Sequence, residues 1–419
     1  MKFVINGGKK LEGTIRVSGA KNAATPIIAA TLLTDTPVTL ENIPRIGDVE
    51  TLLQILKSMG STYEWLGEHT LRIVNANINP DNIDQHLVRK IRSSILLVGP
   101  LLSRFGKAKL SFPGGCHIGA RPIDTHLMAL RDAGVEYAFN QEDGYYEFHF
   151  SESEQDTILL QEFSVTATEN MLMLGTKHGL TIRLAALEPH VSDTAIFLTK
   201  LGYEVQGMGT HTLRVLPLQG KQASEIRHRI IPDDIEAGTF AILAAATRST
   251  ITIEGIVPES LDAVLIKLRQ MGVVLDVEKD RLTVRGSESN LKAAKIDARI
   301  YPGIPSDLQA PFGVLATQAE GTSVIFDTLY EGRLQYIGEL KKMGVEATIL
   351  DPHRALVHGP AVLHGTTMQS LDLRAGATLV IAALVAREES IIEEAEQIDR
   401  GYEKLDERLR ALGADIVRD

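Results

Sequence analysis

The sequence predicts an α/β fold: a two-domain inside-out α/β barrel built of six repeats of about 70 residues, with buried helices inside and sheets outside. Three observations lead to this prediction. Amphipathic helices that end in glycine recur at a regular interval, a helix without a polar face precedes each of them, and a β-rich stretch lies between the two. A period of this length indicates an internal repeat.

The glycine that ends each amphipathic helix is the most regular feature. Glycine suits this position because the left-handed backbone conformation there carries no Cβ penalty. The glycines are residues 60, 134, 202, 272, 344 and 413, at successive separations of 74, 68, 70, 72 and 69 residues. Their segments are LKSMGSTY (56–63), LRDAGVEY (130–137), LTKLGYEV (198–205), LRQMGVVL (268–275), LKKMGVEA (340–347) and LRALGADI (409–416).

A second set of helices is apolar nearly all round, and such helices are buried. Their segments are AATPIIAATLL, SSILLVGPLLS, TENMLMLGT, AGTFAILAAAT, LQAPFGVLAT and AGATLVIAALVA. The β-rich stretches that follow are PVTLENI, AKLSFPG, LTIRLAA, STITIEGI, TSVIFDTL and ESIIEEA. Each repeat therefore reads as buried helix, strand, loop, amphipathic helix, glycine and strand. The alternative is that these are unrelated α/β segments, but unrelated segments would not repeat six times at nearly equal spacing.

The six repeats divide into two halves of three. We expect one domain at 20–230, with repeats one to three and the cysteine loop, and a second at 1–19 and 231–419, with repeats four to six. A chain of 419 residues exceeds the length at which one core stops growing. The segment RHRIIPDDIEAG (227–238) has the proline and charge of an inter-domain crossing, and the N-terminal strand would complete the second domain.

Composition limits the classes of function. The net charge of −11 argues against nucleic acid as the main partner, since phosphate backbones need a basic face. No signal-peptide pattern or membrane-length apolar run is present, so we expect a cytoplasmic protein without a membrane partner. The single cysteine excludes an internal disulfide. The histidines do not have the spacing of a metal site, and the sequence has no P-loop, dinucleotide-binding or GxSxG pattern. It therefore gives no support for a metal, a nucleotide cofactor or a serine nucleophile.

Charged residues collect at the starts of the buried helices and in the loops before the amphipathic helices. A charge at the entry of an apolar helix is costly unless a ligand or partner meets it, and helix N-termini favour anions. For one arginine, a buried ion pair or a solvated loop is the simpler interpretation. For six cations at equivalent places in an acidic protein we favour a polyanion site; they are Lys21, Arg92, Arg121, Arg333, Arg374 and Arg400.

The only cysteine lies in SFPGGCHIGARP (111–122), between glycines and close to His117 and Arg121. Glycines let backbone N–H groups approach an anion, and nearby cations favour thiolate over thiol. These residues alone leave two interpretations open. Cys116 is either a reactive sulfur or a spare thiol in a turn.

Eight segments together resemble the enolpyruvyl transferase family over essentially the whole chain. They are SGAKNAA (18–24), PGGCHIGARPIDTH (113–126), EPHVSDTA (188–195), IEAGTF (235–240), PSDLQA (305–310), YEGRL (330–334), DLRAGA (372–377) and IDRGYE (398–403). The cysteine loop resembles the branch that acts on UDP-N-acetylglucosamine rather than the 5-enolpyruvylshikimate-3-phosphate branch.

This resemblance implies transfer of the enolpyruvyl group of phosphoenolpyruvate to the 3′-hydroxyl of UDP-N-acetylglucosamine, with release of phosphate. That reaction is the first committed step of peptidoglycan synthesis, and therefore serves cell-wall growth, cell shape and cell division. The resemblance further implies no metal or cofactor, small-molecule substrates as the partners, and inhibition by fosfomycin.

The family's functional positions map onto these motifs. The resemblance implies that Cys116 is the general acid, that Asp307 deprotonates the sugar hydroxyl, and that the phosphate of phosphoenolpyruvate is held by Lys21, Arg121 and Arg400. It places Asn22 with Lys21, Glu331 with Asp307, and Arg333 and Arg374 nearer the substrate carboxylate. The implied nucleotide-sugar contacts are Arg92, Arg121, Pro122, Ile123, Asp124, Thr125, Ser164, Val165 and Leu329.

Three residues depart from the family pattern. Leu96 stands where some members have tryptophan, Glu162 where a lysine can contact the uridine diphosphate, and Asp234 where arginine is common. These differences suit a second, divergent copy such as Gram-positive bacteria carry. Two rival functions are a transferase acting on a shikimate-type acceptor, which needs no cysteine acid, and a noncatalytic sensor of nucleotide sugar or redox state. Such a sensor would act through Cys116, and the presence of both Asp307 and Cys116 speaks against it, because binding alone needs neither residue.

Overall fold

The computed structural model describes residues 1–115, 122–151, 154–220 and 224–419. These residues form two compact units. One comprises Met1–Ser18 and Pro232–Asp419, and the other comprises Gly19–Gly115 and Pro122–Ile231. Each unit combines helices with small sheets, which confirms the predicted two-domain α/β class. The inside-out barrel of six repeats stays a prediction.

The chain begins with β1 (Lys2–Asn6) and β2 (Glu12–Arg16). The unit at 19–231 then contains α1 (Lys21–Ala30), β3 (Val38–Glu41), α2 (Gly47–Ser58), β4 (Thr62–Trp65), β5 (Thr70–Val74), α3 (Gln85–Val88), α4 (Val98–Phe105), β6 (Lys107–Ser111), α5 (Asp124–Asp132), β7 (Glu136–Asn140), β8 (Tyr145–His149), β9 (Thr157–Leu159), α6 (Val165–Gly175), β10 (Leu180–Arg183), α7 (Pro189–Lys200), β11 (Glu204–Gln206), β12 (Thr212–Leu216) and β13 (Ile226–Arg229).

The unit completed by residues 232–419 adds α8 (Asp234–Ala246), β14 (Thr250–Glu254), α9 (Asp262–Gln270), β15 (Val274–Val277), β16 (Arg281–Arg285), β17 (Lys295–Ala298), α10 (Ser306–Thr317), β18 (Gly321–Asp327), α11 (Tyr336–Lys342), β19 (Ala347–Asp351), β20 (Arg354–Gly359), β21 (Thr367–Gln369), α12 (Leu373–Val385), β22 (Glu389–Glu393), α13 (Leu405–Ala411) and β23 (Asp415–Arg418). Short 3₁₀ helices include Arg92–Leu97 and Ala395–Arg400.

Within the described residues the strands form six sheets: β13-β3-β5-β4, β6-β8-β7, β9-β10-β12-β11, β2-β14-β16-β15, β17-β18-β20-β19 and β21-β22-β1-β23. In five of them the strand that follows a buried helix has a parallel neighbour. The N-terminal strands pair with strands from the C-terminal half, since β2 lies beside β14, and β1 lies between β22 and β23.

The sheet β6-β8-β7 has three strands, and the side chain of Gln85 covers the edge of β6. Gln85 Nε2 donates to the carbonyl of Lys109 at 3.0 Å, and the N–H of Ser111 donates to Gln85 Oε1 at 2.7 Å. A residue of a parallel strand would bond to the same carbonyl and the same N–H. One amide side chain from α3 therefore satisfies two backbone groups that pair with a strand in the other sheets.

The helices that the sequence predicts to be apolar all round are buried. Twelve of the 13 residues of α8 and 12 of the 13 residues of α12 are buried, and α1, α4, α6 and α10 are buried to a similar degree. Each fully buried leucine or isoleucine contributes about 1.5–3 kcal/mol relative to an exposed one. Burial of these helices is therefore a main source of stability for both units.

The second buried segment, SSILLVGPLLS, differs from the prediction of one continuous α-helix. It begins as the 3₁₀ helix Arg92–Leu97 and continues as α4. Asn170 explains the change, because its Oδ1 accepts from Gly99 N–H at 2.8 Å and its Nδ2 donates to Ile95 O at 2.9 Å. The side-chain amide thus replaces the α-helical bond between these two backbone groups. A Cβ at Gly99 would lie 2.4 Å from the Asn170 carbonyl oxygen.

The six predicted helix-ending glycines all have left-handed backbone conformations, with φ between 83° and 110°. An L-residue with a Cβ is strained in that region, so the prediction of glycine as the helix terminator is confirmed. A search for membrane-spanning helices among the described residues finds none of sufficient length and apolarity.

Candidate active site

Two arginines share one carboxylate at the starts of α10 and α12. Asp307 is the second residue of α10, and Arg374 is the second residue of α12. Arg374 Nε donates to Asp307 Oδ2 at 3.1 Å, and Arg333 Nη2 donates to Asp307 Oδ1 at 2.5 Å. Three of the predicted site residues are therefore brought together by direct contact.

Both guanidinium groups are held in the charged form. Arg374 is 3 % exposed, and burial alone would lower its pKa, but Tyr402 and Asp307 outweigh burial and raise that pKa well above its ordinary value. Burial also opposes the charge of Arg333, and the carboxylates of Asp307 and Asp372 again raise its pKa overall. The pair remains cationic at any physiological pH.

The arginine pair also has unused donors. Among the described residues, Arg374 Nη1 and Arg333 Nε are buried without a hydrogen-bond partner. Asp372 caps α12 by accepting from the backbone N–H groups of Arg374 at 2.7 Å and Ala375 at 3.0 Å. An unsatisfied buried donor costs about 1–3 kcal/mol. A carboxylate or phosphate ligand would supply the missing acceptors.

A further acidic residue, Asp234, lies close enough to Arg374 and Asp307 to interact with their charges. Asp234 is the first residue of α8 and follows the N-cap Asp233. Burial first, and then the neighbouring Asp233, raise the pKa of Asp234 to about 7, while Arg374 opposes the rise. Asp234 therefore places a carboxyl group with a raised pKa beside Arg374 of the candidate site.

The segment between β18 and α11 contains two residues that are predicted to contact substrate, Leu329 and Glu331. The side chain of Leu329 is 39 % exposed, and its N–H donates to Asp327 Oδ1 at 2.9 Å. Glu331 is exposed on the same segment. Leu329, Glu331 and Arg333 therefore lie on one loop, from which Arg333 contacts Asp307.

Two acidic residues of the family-like segments IEAGTF and IDRGYE form ion pairs with arginines of the same unit. Glu236, at the start of α8, accepts from Arg408 Nη2 at 2.7 Å and Nη1 at 2.9 Å. Asp399 accepts from Arg418 at 2.6 and 2.8 Å. Arg400, beside Asp399, ends the 3₁₀ helix and contacts Gln397 through Nη1 at 3.4 Å. Of the Asp399–Arg400 pair, Arg400 is the remaining candidate for ligand binding.

In the unit at 19–231, Lys21 is the first residue of α1 and Asn22 is the second. Lys21 Nζ lies 3.0 Å from Asp48 Oδ2, and the Asp48 side chain is 4 % exposed. Asn22 is half-buried. The ammonium group is therefore held at a helix N-terminus, where an anion is electrostatically favoured.

Arg92 begins the 3₁₀ helix ahead of α4 and reaches the start of α5. Its Nη2 donates to the carbonyl of Pro122 at 2.9 Å. Ile123 is buried, and Asp124 is the exposed first residue of α5. Gly115 has φ 115°, and a Cβ there would lie 3.0 Å from Arg92 Cβ. Glycine is thus required where the chain passes Arg92.

Thr125 and Ser164 lie at the starts of α5 and α6. Thr125 Oγ1 donates to Glu162 Oε1 at 2.7 Å, so the family-atypical glutamate is bonded to a predicted nucleotide-sugar contact. Ser164 caps α6 by accepting from Ala167 N–H at 3.4 Å, and Val165 is the first residue of that helix. Leu96, the third departure, is buried and 1 % exposed.

Two predicted site residues, Cys116 and Arg121, lie outside the described residues. Two further residues were missed by sequence reasoning. Asp48, the partner of Lys21, is the second residue of the amphipathic helix α2 in the first repeat, close to where the other repeats have charged residues; this signal could have identified it. Asp327 ends a buried strand, and nothing in its sequence context distinguishes it from an ordinary strand terminus.

Comparisons with known proteins identify the family. The family described as EPSP synthase (3-phosphoshikimate 1-carboxyvinyltransferase) matches residues 5–409. A UDP-N-acetylglucosamine 1-carboxyvinyltransferase of Koribacter versatilis is 43% identical, covering 100% of this chain and 96% of the relative. The relative called copy 3 in Caldanaerobacter subterraneus is 40% identical, covering 100% and 99%.

Solved structures give the same result for the fold. The enolpyruvyl transferase NikO from Streptomyces tendae superposes with a TM-score of 0.89 at 27% identity, covering 99% of this chain and 98% of that one. EPSP synthase from Acinetobacter baumannii gives a TM-score of 0.72 at 18% identity over 100% of both chains, a likeness of fold alone. The chain therefore belongs to the EPSP synthase family of carboxyvinyltransferases and, within it, to the UDP-N-acetylglucosamine 1-carboxyvinyltransferases.

Proposed function

We propose that this chain transfers the enolpyruvyl group of phosphoenolpyruvate to the 3′-hydroxyl of UDP-N-acetylglucosamine and releases phosphate, as the first committed step of peptidoglycan synthesis. The observation that carries the proposal is the pair Arg333 and Arg374, which share Asp307 and keep buried donors for a further anion. Phosphoenolpyruvate offers a carboxylate and a phosphate, and the acceptor offers a diphosphate, so an anion site at helix starts suits both.

In this mechanism the carboxylate of phosphoenolpyruvate binds Arg333 and Arg374, and Asp307 takes the proton of the sugar hydroxyl. The sugar oxygen then forms a bond to C2 of phosphoenolpyruvate, while Cys116 delivers a proton to C3. Loss of a proton from C3 and departure of phosphate from C2 restore the double bond in the product. General acid and base groups of this kind contribute about 10²–10⁴-fold each.

The phosphate is assigned to Lys21, Arg121 and Arg400, with Asn22 beside Lys21. The position of Lys21 at the first turn of α1 supports its role, because the helix dipole adds to its charge. The proposed nucleotide-sugar contacts are Arg92, Arg121, Pro122, Ile123, Asp124, Thr125, Ser164, Val165, Leu329, Asp307 and Glu331.

The domain organisation and the location belong to the same proposal. We assign repeats one to three to a domain at 20–230, and repeats four to six to a domain at 1–19 and 231–419.

The activity is assigned to the cytoplasm, and cell fractionation with an antibody to the chain tests that assignment. Recovery of the chain with the envelope fraction would contradict it.

Phosphate release tests the function directly. Purified chain is incubated with phosphoenolpyruvate and UDP-N-acetylglucosamine, and phosphate is measured with a coupled assay. We expect release that requires both substrates. Release with shikimate 3-phosphate as the acceptor would assign the chain to the other branch of the family, and binding of the nucleotide sugar without release would indicate a noncatalytic sensor.

A further inference from the structure

Asp327 is a fully buried carboxylate, 0 % exposed, at the last position of β18. Its Oδ2 accepts from Ser306 Oγ at 2.5 Å. Its Oδ1 accepts from the N–H of Leu329 at 2.9 Å and from the N–H of Tyr330 at 3.1 Å. A carboxylate has acceptor sites for all three donors, so the buried charge is well compensated.

The main chain at Asp327 is fixed as well. Its N–H donates to the carbonyl of His353 at 2.9 Å, and its own carbonyl accepts from His353 Nδ1 at 2.7 Å. The carboxylate therefore projects from a backbone position that is held on both sides. A side chain on such a rigid support can orient the groups that bond to it.

The two segments that Asp327 joins both lead to the arginine-bound carboxylate. Ser306 is the first residue of α10 and directly precedes Asp307. Leu329 and Tyr330 open the loop whose later residue Arg333 donates back to Asp307. The start of α10 and the loop are therefore linked twice. Asp327 bonds to Ser306 and to the loop N–H groups, and Arg333 of the loop bonds to Asp307.

We propose that Asp327 is a positioning residue, which fixes the loop at 329–333 relative to the start of α10 and so places Arg333 against Asp307. The inference rests on the proposed function for its kinetic consequences. Its geometric content, a link between two segments through one carboxylate, is independent of the substrate.

The Ser306→Ala variant isolates this link. The change removes the bond to Asp327 Oδ2 but leaves the turn at Leu329 and Tyr330 intact. Ser289→Ala is the matched control, because Ser289 is 7 % exposed, as Ser306 is, and makes its hydrogen bonds elsewhere in the same unit.

The first measurement is amide hydrogen exchange of the loop at 329–333. We expect faster exchange in Ser306→Ala than in the wild type, and no change in Ser289→Ala. Equal exchange in all three proteins would overturn the inference. This readout needs no substrate, so it stands even if the wild type releases no phosphate and the proposed function fails.

The second measurement is steady-state kinetics with both substrates. A misplaced Arg333 and Asp307 should lower kcat about tenfold in Ser306→Ala, since small displacements of catalytic groups are costly. The Kd of UDP-N-acetylglucosamine should change by less than about threefold, because most of its proposed contacts lie in the other unit. A kcat equal to that of Ser289→Ala would contradict the positioning role.

A double-mutant cycle separates the link from two independent effects. Asp327→Ala should lower kcat/KM about a hundredfold, and adding Ser306→Ala should cause no further loss. Additive losses would overturn the inference, because they would mean that serine and aspartate act separately. If Asp327→Ala does not fold, the comparison of Ser306→Ala with Ser289→Ala in hydrogen exchange and in kcat decides the inference by itself.

Discussion

Arg374 reaches from the start of α12 to the start of α10, where its Nε lies 3.1 Å from Asp307 Oδ2. The guanidinium group of Arg374, which is proposed to bind the substrate carboxylate, therefore already donates a hydrogen bond to Asp307. Arg333 holds the other oxygen of Asp307 in the same way. Phosphoenolpyruvate bound first at the unused donors, Arg374 Nη1 and Arg333 Nε, would then compete with Asp307 for the two guanidinium charges and so release Asp307 to act as a base.

The first prediction concerns the rate of the chemical step. We expect Asp307→Asn to bind UDP-N-acetylglucosamine nearly as well as the wild type, but to react about 10²–10⁴-fold more slowly, because the amide cannot accept the hydroxyl proton. Calorimetry and single-turnover kinetics measure the two quantities. Asp351→Asn, which alters an aspartate paired with Arg354, is the control. Lost binding with a retained rate at saturation would assign Asp307 to recognition instead.

The second prediction concerns the affinity for phosphoenolpyruvate. In Asp307→Asn a neutral amide competes less well for Arg333 and Arg374 than the native carboxylate does. The Kd of phosphoenolpyruvate, measured with the nucleotide sugar bound, should fall about fivefold, which corresponds to ~1 kcal/mol. A weaker affinity would mean that Asp307 does not compete with the substrate carboxylate.

The third prediction is a pH dependence of stability. Burial and Asp233 raise the pKa of Asp234 from 3.8 to about 7, so the native state retains a proton that the unfolded chain releases between about pH 4 and 7. The contribution of Asp234 to the free energy of unfolding therefore falls as pH rises through this window and is constant above it. Asp234→Asn should exceed the wild type by ~1–3 kcal/mol at pH 8 and match it near pH 4.

Urea unfolding at both pH values measures this difference. The control is Asp351→Asn, because a hydrogen bond from Arg354 lowers the pKa of Asp351 and removing that carboxylate gives no gain at pH 8. An Asp234→Asn variant with wild-type stability at pH 8 would show that Asp234 is already ionised there without cost.

The fourth prediction concerns the family-atypical glutamate. Glu162 is exposed and accepts from Thr125 Oγ1, close to proposed nucleotide-sugar contacts. In Glu162→Lys, attraction replaces repulsion of the diphosphate, so the Kd of UDP-N-acetylglucosamine should fall about fivefold at low salt. The gain should shrink as salt is added. Glu204→Lys, an exposed change in the same unit, should bind as the wild type does; an equal gain there would indicate net charge alone.

The fifth prediction concerns Cys116, whose role follows from the family resemblance. A general acid needs a pKa near the working pH, which a partly buried carboxylic acid can have and a serine hydroxyl cannot. Cys116→Asp should keep measurable phosphate release, while Cys116→Ser should be nearly inactive. Fosfomycin should inactivate the parent, more slowly as pH falls below the thiol pKa, and should not affect the aspartate variant. Full activity of the serine variant would make Cys116 a bystander.

Local features of the fold could be read from the sequence. The six terminating glycines were predicted because a left-handed residue after a helix is a local requirement, independent of the rest of the chain. The buried helices were predictable for a similar reason, since α8 and α12 have no polar face to offer to water. The start of α12 is predicted as a site position because Arg374 is a charge at the entry of an apolar helix, and the start of α10 because Asp307 lies in a segment that resembles the family.

Features that depend on distant neighbours could not be predicted. Asn170 alters the helix before α4 from 71 residues away, and no pattern around Gly99 indicates this contact. The pairing of Asp307 with Arg374 spans 67 residues, so each was recognised alone but not as a pair. The proposed role of Asp327 depends on the contacts of its two oxygens with Ser306, 21 residues away, and with the N–H of Leu329, and no sequence pattern indicates the first of them.

The amide of Gln85 leaves the edge of β6 dependent on a single side chain. An uncovered edge strand is a template to which another chain can add, and this is a common route to aggregation. In Gln85→Leu the carbonyl of Lys109 and the N–H of Ser111 lose their partners together. Loss of this one amide group would therefore expose the edge of β6, and a strand of a second copy of the chain could pair with it.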